Sequence, residues 1–192
     1  NLPLPHRIVS HGHWTFEGSK MSKSLGNVVD PVDLIDSVFS GECDPLRFYL
    51  LRTGKMNSDS PFSVAGLRDC YNNELVGNLG NLISRVFKRL TRDQIARIPQ
   101  IENEMDLDLN LRLPCLNNNT RFDELYAKFQ FGQVVDLTME ALSITNRYIS
   151  NTEPWKIKED YDYIHVASQI SHVLGRVLDA LSPIIPGSCE KI

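Results

Sequence analysis

The sequence predicts a mainly α fold: a helical bundle preceded by a short β-turn, loop and helix. Three observations predict it. After Ser63, apolar residues recur at three- and four-residue spacing over long segments, the period of an amphipathic helix. Residues 7–17 are instead β-prone, carrying Ile8, Val9, Trp14 and Phe16. Between these regions, Asp30-Pro31 and Asp44-Pro45 each set an acidic N-cap before a proline at the first helical position. The division this implies is residues 1–60 and residues 61–192.

Taken in order, Glu17-Gly18 reads as a turn between two short strands. Two short strands alone are marginal, so they read as the rim of a larger sheet lying upstream. Asp30-Pro31 opens one helix, and Asp44-Pro45 opens another through Leu46, Phe48, Tyr49, Leu50 and Leu51. Residues 53–63 are rich in Gly, Ser, Asn, Asp and Pro, and the domain boundary is placed there. Leu67, Tyr71, Leu75, Leu79, Leu82, Ile83, Val86, Phe87 and Leu90 then trace one helical stripe. Residues 97–120, with Pro99, Pro114 and an Asn run, read as connection with one short helix at most. A second amphipathic segment spans 122–149 and a third 163–181. Ser182-Pro183 stops the third, and Pro186 opens a further helix. Helices of this length bury their apolar stripes against one another as a bundle.

Composition narrows the function classes. The chain has 192 residues, 42% hydrophobic and 23% charged, ordinary for a folded protein. A net charge of -4 argues against a generally basic nucleic-acid binder but leaves room for a local basic surface. Cys43, Cys70, Cys115 and Cys189 show no Cys-x-x-Cys spacing, and no histidine stands at finger spacing from them. No metal site and no disulfide framework is expected, and a reducing compartment is. Asn118-Asn119-Thr120 reads as a chance sequon there. No apolar run is long enough to cross a bilayer, so no membrane partner is expected. The chain opens Asn1-Leu2-Pro3-Leu4-Pro5, without Met, and reads as cut from something longer.

The stretch Gly18-Ser-Lys-Met-Ser-Lys-Ser-Leu-Gly26 is too polar for core and lacks strand alternation. It reads as a flexible loop presenting ammonium groups and hydroxyls to an anion. A solvated surface turn is the bland alternative.

Lys20-Met21-Ser22-Lys23-Ser24 matches the KMSKS signature of class I aminoacyl-tRNA synthetases, and its flanks resemble the strand, turn, loop and helix that end a class I catalytic domain. The rest resembles the methionyl-tRNA synthetase family. Residues 73–85 (NELVGNLGNLISR) are similar to the first long helix of its anticodon-binding bundle. Residues 146–158 (NRYISNTEPWKIK) are similar to the turn that holds its anticodon-reading tryptophan, and residues 181–186 (LSPIIP) to its closing helix turn. The resemblance implies a fold in which an anticodon-binding helical bundle, residues 61–192, follows the C-terminal end of a Rossmann-type catalytic domain, residues 1–60. The family's His-Ile-Gly-His motif is missing, since His11-Gly12-His13 is not that motif. The expectation is therefore a C-terminal fragment, inactive alone.

In the intact enzyme the resemblance implies that ATP, with Mg2+, activates methionine and that the methionyl group passes to tRNA(Met). It assigns Lys23, and secondarily Lys20, to stabilising charge on the triphosphate, with Met21, Ser22 and Ser24 completing the loop. Mobile cations aimed at developing phosphate charge favour the transition state over the ground state. Flanking glycines let such a loop close and reopen. His11, His13 and Trp14 line the adenine side or pack as a strand end.

On the first long helix Asn78, Asn81 and Arg85 form one polar stripe. Asn78 reads as solvated face, whereas the family places anticodon contacts at Asn81 and Arg85. Asn offers a donor and an acceptor to a base edge, and Arg offers planar donors and a stacking surface. Lys88, Arg89 and Arg92 meet stem phosphates or complement the helix dipole. Pro154-Trp155 lies in a polar, basic neighbourhood at a helix junction. An exposed Trp braced by Pro suits stacking on an unpaired base, and a plug between helices is the alternative.

The rival readings are an Ile, Val or Leu class I synthetase and a non-catalytic RNA-binding module. The Leu25-Gly26-Asn27-Val28-Val29-Asp30-Pro31 continuation looks like the short bacterial and mitochondrial branch. The resemblance thus implies the mitochondrial matrix, or else the cytoplasm, and a monomer.

Overall fold

The computed structural model describes residues 4–103, 106–108, 111, 113, 116 and 119–192. A small three-stranded sheet, nine α-helices, one π-helical segment and short 3-10 turns make up the regular structure of these residues. Strand β1 (Trp14–Phe16) turns at Glu17-Gly18 into β2 (Ser19–Lys20), antiparallel to it, with Thr15 opposite Lys20. Both turn residues have positive φ, +50° at Glu17 and +76° at Gly18.

Helix α1 (Pro31–Phe39) begins as the sequence predicts: the Asp30 carboxylate accepts from the N–H groups of Val32 and Asp33. Helix α2 (Asp44–Thr53) differs. Cys43 is its N-cap, and Asp44 is buried and accepts from the distant Ser188 N–H instead.

The expected fold class, mainly α with an anticodon-binding bundle after the end of a Rossmann-type domain, requires correction. The sheet does not stop at the hairpin. Strand β3 (Ser60–Phe62), in the stretch read as linker, pairs in parallel with β1, Trp14 opposite Ser60 and Phe16 opposite Phe62. Its Ser-Pro-Phe sequence hides it, because proline is tolerated only where a strand needs no ladder donor, as on an edge. The sheet order β2-β1-β3 puts it on such an edge.

Two apolar cores follow. The smaller joins Leu34 of α1, Leu46 and Tyr49 of α2, Phe62 of β3 and Leu67. The larger gathers Phe48 of the same α2 with the long helices. Helix α2 thus faces both cores, and each large side chain buried there contributes about 1.5–3 kcal/mol.

From Ser63, which caps its helix by accepting from the Gly66 N–H, one rod runs to Phe87. It comprises α3 (Val64–Cys70), a π-helical segment Tyr71–Gly80, and α4 (Asn81–Phe87). Leu67, Leu75, Leu79, Leu82 and Val86 of the expected stripe are buried. Thr91 then closes a capping box with Gln94 on α5 (Arg92–Ala96).

The segment expected as one helix over 122–149 is two: α6 (Asn119–Ala127) and α7 (Phe131–Thr152). Phe129 adopts φ +58°, and the Gln130 N–H donates to the Leu125 carbonyl at 2.8 Å while Phe129 N–H donates to Tyr126. That is a Schellman ending. A phenylalanine holds the left-handed position usually given to glycine, so the sequence carries no break signal.

Helix α7 packs along α8 (Asp160–Leu181), and α9 (Pro186–Glu190) follows the expected stop. Buried Thr138 and Thr145 satisfy their hydroxyls on carbonyls of their own helix. Cys115 and the sequon residue Asn118 lie outside the described residues.

Candidate functional site

The polar loop leaves β2 at Lys20. Met21 turns inward and, with Trp14, Pro31, Leu34 and Phe62, lines an apolar pocket of about 160 Å³. Ser22–Leu25 then bends through a single 3-10 turn, Lys23–Leu25, ended by Gly26 at φ +66°. Asn27 ties the loop across its base: its Oδ1 accepts from the Ser22 N–H at 2.7 Å and its Nδ2 donates to the Lys20 carbonyl at 3.3 Å. The Ser22 and Ser24 hydroxyls stand 2.8 Å apart, bonded to each other.

Lys20 and Lys23 are exposed, and no ion pair engages either among the described residues. The local fold therefore fixes the backbone and leaves both ammonium groups at the surface. Such an arrangement can meet an anionic ligand without first breaking a salt bridge. Sequence reasoning missed Asn27, although an Asn beside a loop glycine is a turn signal.

The neighbouring aromatic residue is committed to packing. Trp14 lies 6.4 Å from both the Tyr49 and Phe62 rings, edge-on to the latter. The same ring borders an open cleft of about 370 Å³ shared with His11, Gly12, Lys55 and Phe131. His13 is exposed, its N–H donating to Asp59 Oδ1 at 2.8 Å. Gly12 is a steric necessity the sequence did not reveal: a Cβ there would lie 1.9 Å from the Ser58 carbonyl oxygen.

A second constellation forms where α4 meets the α7–α8 junction. Glu153 ends α7 at φ +44°, buried Pro154 follows, and Pro154–Lys156 makes one 3-10 turn. Trp155 is 52% exposed. Arg85 reaches across from α4: its Nη2 donates to Ser150 Oγ at 3.0 Å, its Nη1 to the Asn146 carbonyl at 3.4 Å, and its Cζ stands 5.2 Å from the Trp155 ring centre. The structure thus brings Arg85, Pro154 and Trp155 together. Asn81 is exposed one turn earlier on the same helix. Asn78, read as solvated face, instead bonds to Asn146 and Ser143 across the helix interface. Arg89 is likewise engaged within the fold, although it is exposed, as Lys88 and Arg92 are.

Titration is shifted elsewhere. Burial, aided by the Glu74 carboxylate, pushes the Cys70 thiol up to about 11. Burial and nearby Asp44 do the same for Cys189, to about 11. Arg52 pairs with Glu74 at 3.1 Å and Asp136 at 2.6 Å, linking α2 to the π-helical segment and α7.

The chain is similar to known synthetases along its whole length. Residues 1–87 match the family model "tRNA synthetases class I (M)". The chain is 32% identical over 197 residues to the methionine--tRNA ligase of Rickettsia prowazekii, covering all of this chain and 38% of the relative. It is 34% identical over 198 residues to that of Caldanaerobacter subterraneus, covering all of this chain and 30% of the relative. Two solved structures of Mycobacterium tuberculosis methionyl-tRNA synthetase with methionyl-adenylate share the fold. One has a TM-score of 0.79 at 24% identity, the other 0.75 at 26%, and each match covers 99% of this chain and 38% of that one.

These matches complete the fold correction. The class I model runs past the hairpin and β3 through α3 and α4, so the expected anticodon-bundle fold class gives way to the Rossmann-type region of such synthetases. The expected C-terminal placement is likewise not supported. The chain spans less than two fifths of the length of these relatives, and over that span it is similar to methionine--tRNA ligases, with residues 1–87 matching the class I (M) tRNA synthetase model.

Proposed function

We propose that this stretch works as part of a methionine–tRNA ligase, which activates methionine with ATP and transfers it to tRNA(Met). The observation that carries the reading is the similarity of the whole chain to methionine--tRNA ligases, together with two exposed lysines on a pinned loop. Lys20 and Lys23 supply charge that meets the triphosphate as pyrophosphate leaves. Met21 anchors the loop in its apolar pocket, and the Ser22–Ser24 pair shapes it. Asn81, Arg85, Pro154 and Trp155 are the contacts for unpaired anticodon bases.

Supporting the RNA half is the half-exposed Trp155 ring with a guanidinium over one side, a surface on which a base can stack. It needs no strongly basic protein, since base contacts specify while phosphate contacts position.

The test is methionine-dependent ATP–pyrophosphate exchange in the longer protein carrying this stretch. Lys23→Ala is expected to lower kcat by about 10²–10³, the cost of losing one donor to transition-state charge, with a smaller loss for Lys20→Ala. Exchange unchanged by both substitutions would contradict the assignment.

A further inference from the structure

Arg89 lies four residues beyond Arg85, in the turn that follows α4. Three contacts hold its guanidinium. Nη1 donates to the Ile157 carbonyl at 2.6 Å, Nη2 donates to Asp160 Oδ1 at 3.4 Å, and Cζ stands 4.3 Å from the Tyr163 ring centre. Tyr163 is itself fixed, its hydroxyl donating to the Val86 carbonyl at 2.6 Å.

Ile157 is the residue that ends the Pro154–Lys156 turn, and its own N–H donates back to Pro154 at 3.1 Å. The two arginines therefore grip the tryptophan turn from opposite ends. Arg85 holds the last turn of α7 through Ser150 and Asn146. Arg89 holds the exit through Ile157 and the first residue of α8.

We infer that Arg89 is a positioning residue for Trp155: it fixes the ring's orientation before RNA arrives, and it is not a phosphate contact. The inference rests on the proposed reading of Trp155 as a stacking platform.

The chemistry separates the two roles. One face of the guanidinium is on Tyr163, its fork is on Ile157 and Asp160, and the Asp160 charge offsets its own. An arginine that neutralises a phosphate releases counterions and adds about 0.7 to the magnitude of the salt slope on single strands. One that positions a ring changes affinity without changing that slope. Lysine distinguishes them further, because it keeps the charge but not the planar fork and stacking face.

The experiment uses the chain with Trp14→Phe, leaving Trp155 as its one tryptophan. Without RNA, acrylamide quenching and emission of Trp155 are compared in Arg89→Lys, Arg89→Gln, Asp160→Asn and, as a control, Lys88→Gln. With RNA, affinity is measured over a salt series for a hairpin carrying a CAU loop and for one with the loop scrambled. Expected are raised quenching in both Arg89 variants, a smaller rise in Asp160→Asn, and none in Lys88→Gln. Both Arg89 variants should also lose roughly tenfold in CAU affinity, within the worth of one stacked base, at unchanged salt slope.

Wild-type quenching and affinity in Arg89→Lys, or a slope reduced by about 0.7 in Arg89→Gln, would overturn the inference. Asp160→Asn removes only an exposed partner, so its result stands even where an Arg89 variant loses structure. If quenching changes as expected but the parent chain binds both hairpins equally, positioning holds and the RNA reading fails.

Discussion

The Arg85 guanidinium stands 5.2 Å from the Trp155 ring centre while donating to Ser150 on the preceding helix. One side chain thus braces an exposed aromatic ring from a different element. Arg85→Ala removes the cation–π contact, worth about 0.5–1 kcal/mol at an exposed site, and both hydrogen bonds. Thermal unfolding should show a loss of about 1–2 kcal/mol, these bonds being worth about 1 kcal/mol each at most when exposed, with a red-shifted Trp155 emission. An unchanged emission would mean the ring is held without Arg85.

Asp44 makes the opposite kind of link. Its buried carboxylate accepts from the Ser188 N–H, joining α2 to α9 across the chain. On the same helix Arg47 donates to the carbonyls of Pro183 and Ile184 at 2.9 and 3.0 Å. Asp44→Ala leaves the half-buried Ser188 N–H without its partner, at a cost of about 1–3 kcal/mol. Urea unfolding checks this, and Arg47→Ala, at a more exposed site, should cost less.

Gly12 tolerates no side chain where it lies. A Cβ would come 1.9 Å from the Ser58 oxygen and 2.9 Å from the Asp59 nitrogen, both backbone atoms that must move. Gly12→Ala should destabilise the chain by about 1–3 kcal/mol, as overpacking does. Gly18→Ala is a useful contrast: nothing lies near its Cβ position, and its cost comes from φ +76° alone.

Alkaline stability follows from the two raised thiols. Cys70 and Cys189 titrate near 11 in the fold against an ordinary value of 9, so between these values the folded chain holds protons that the unfolded chain has lost. The stabilisation is complete below pH 9 and is lost as pH rises through 11. Tyr126, pushed up to about 12 from 10 by burial, extends the same trend. Unfolding free energy measured at pH 8 and pH 10.5 should fall, and a Cys70→Ala/Cys189→Ala chain should show a shallower fall. Equal stability of the parent chain at both values would contradict this.

Much of this was legible in the residues. The Asp30-Pro31 start, the stripe from Leu67 to Val86 and the stop at Ser182-Pro183 are local signals, and local signals survive in the fold. What escaped depends on distant partners. Strand β3 exists because β1 supplies a ladder, the Phe129 break because a left-handed phenylalanine gives no composition cue, and the role of Asp44 because Ser188 lies far along the chain. The candidate side chains divide in the same way. The loop lysines and Trp155 were visible by type and setting, whereas Asn27 and Arg89 act through backbone carbonyls and groups that no spacing rule shows.

The most direct measurement is binding of this chain to a hairpin with a CAU loop against one with the loop scrambled, for the parent and Trp155→Ala at one fixed salt concentration. The account predicts that the parent discriminates and that Trp155→Ala loses the discrimination, at a cost of about 1–3 kcal/mol for the lost stack. Equal binding of both hairpins by both proteins would contradict it.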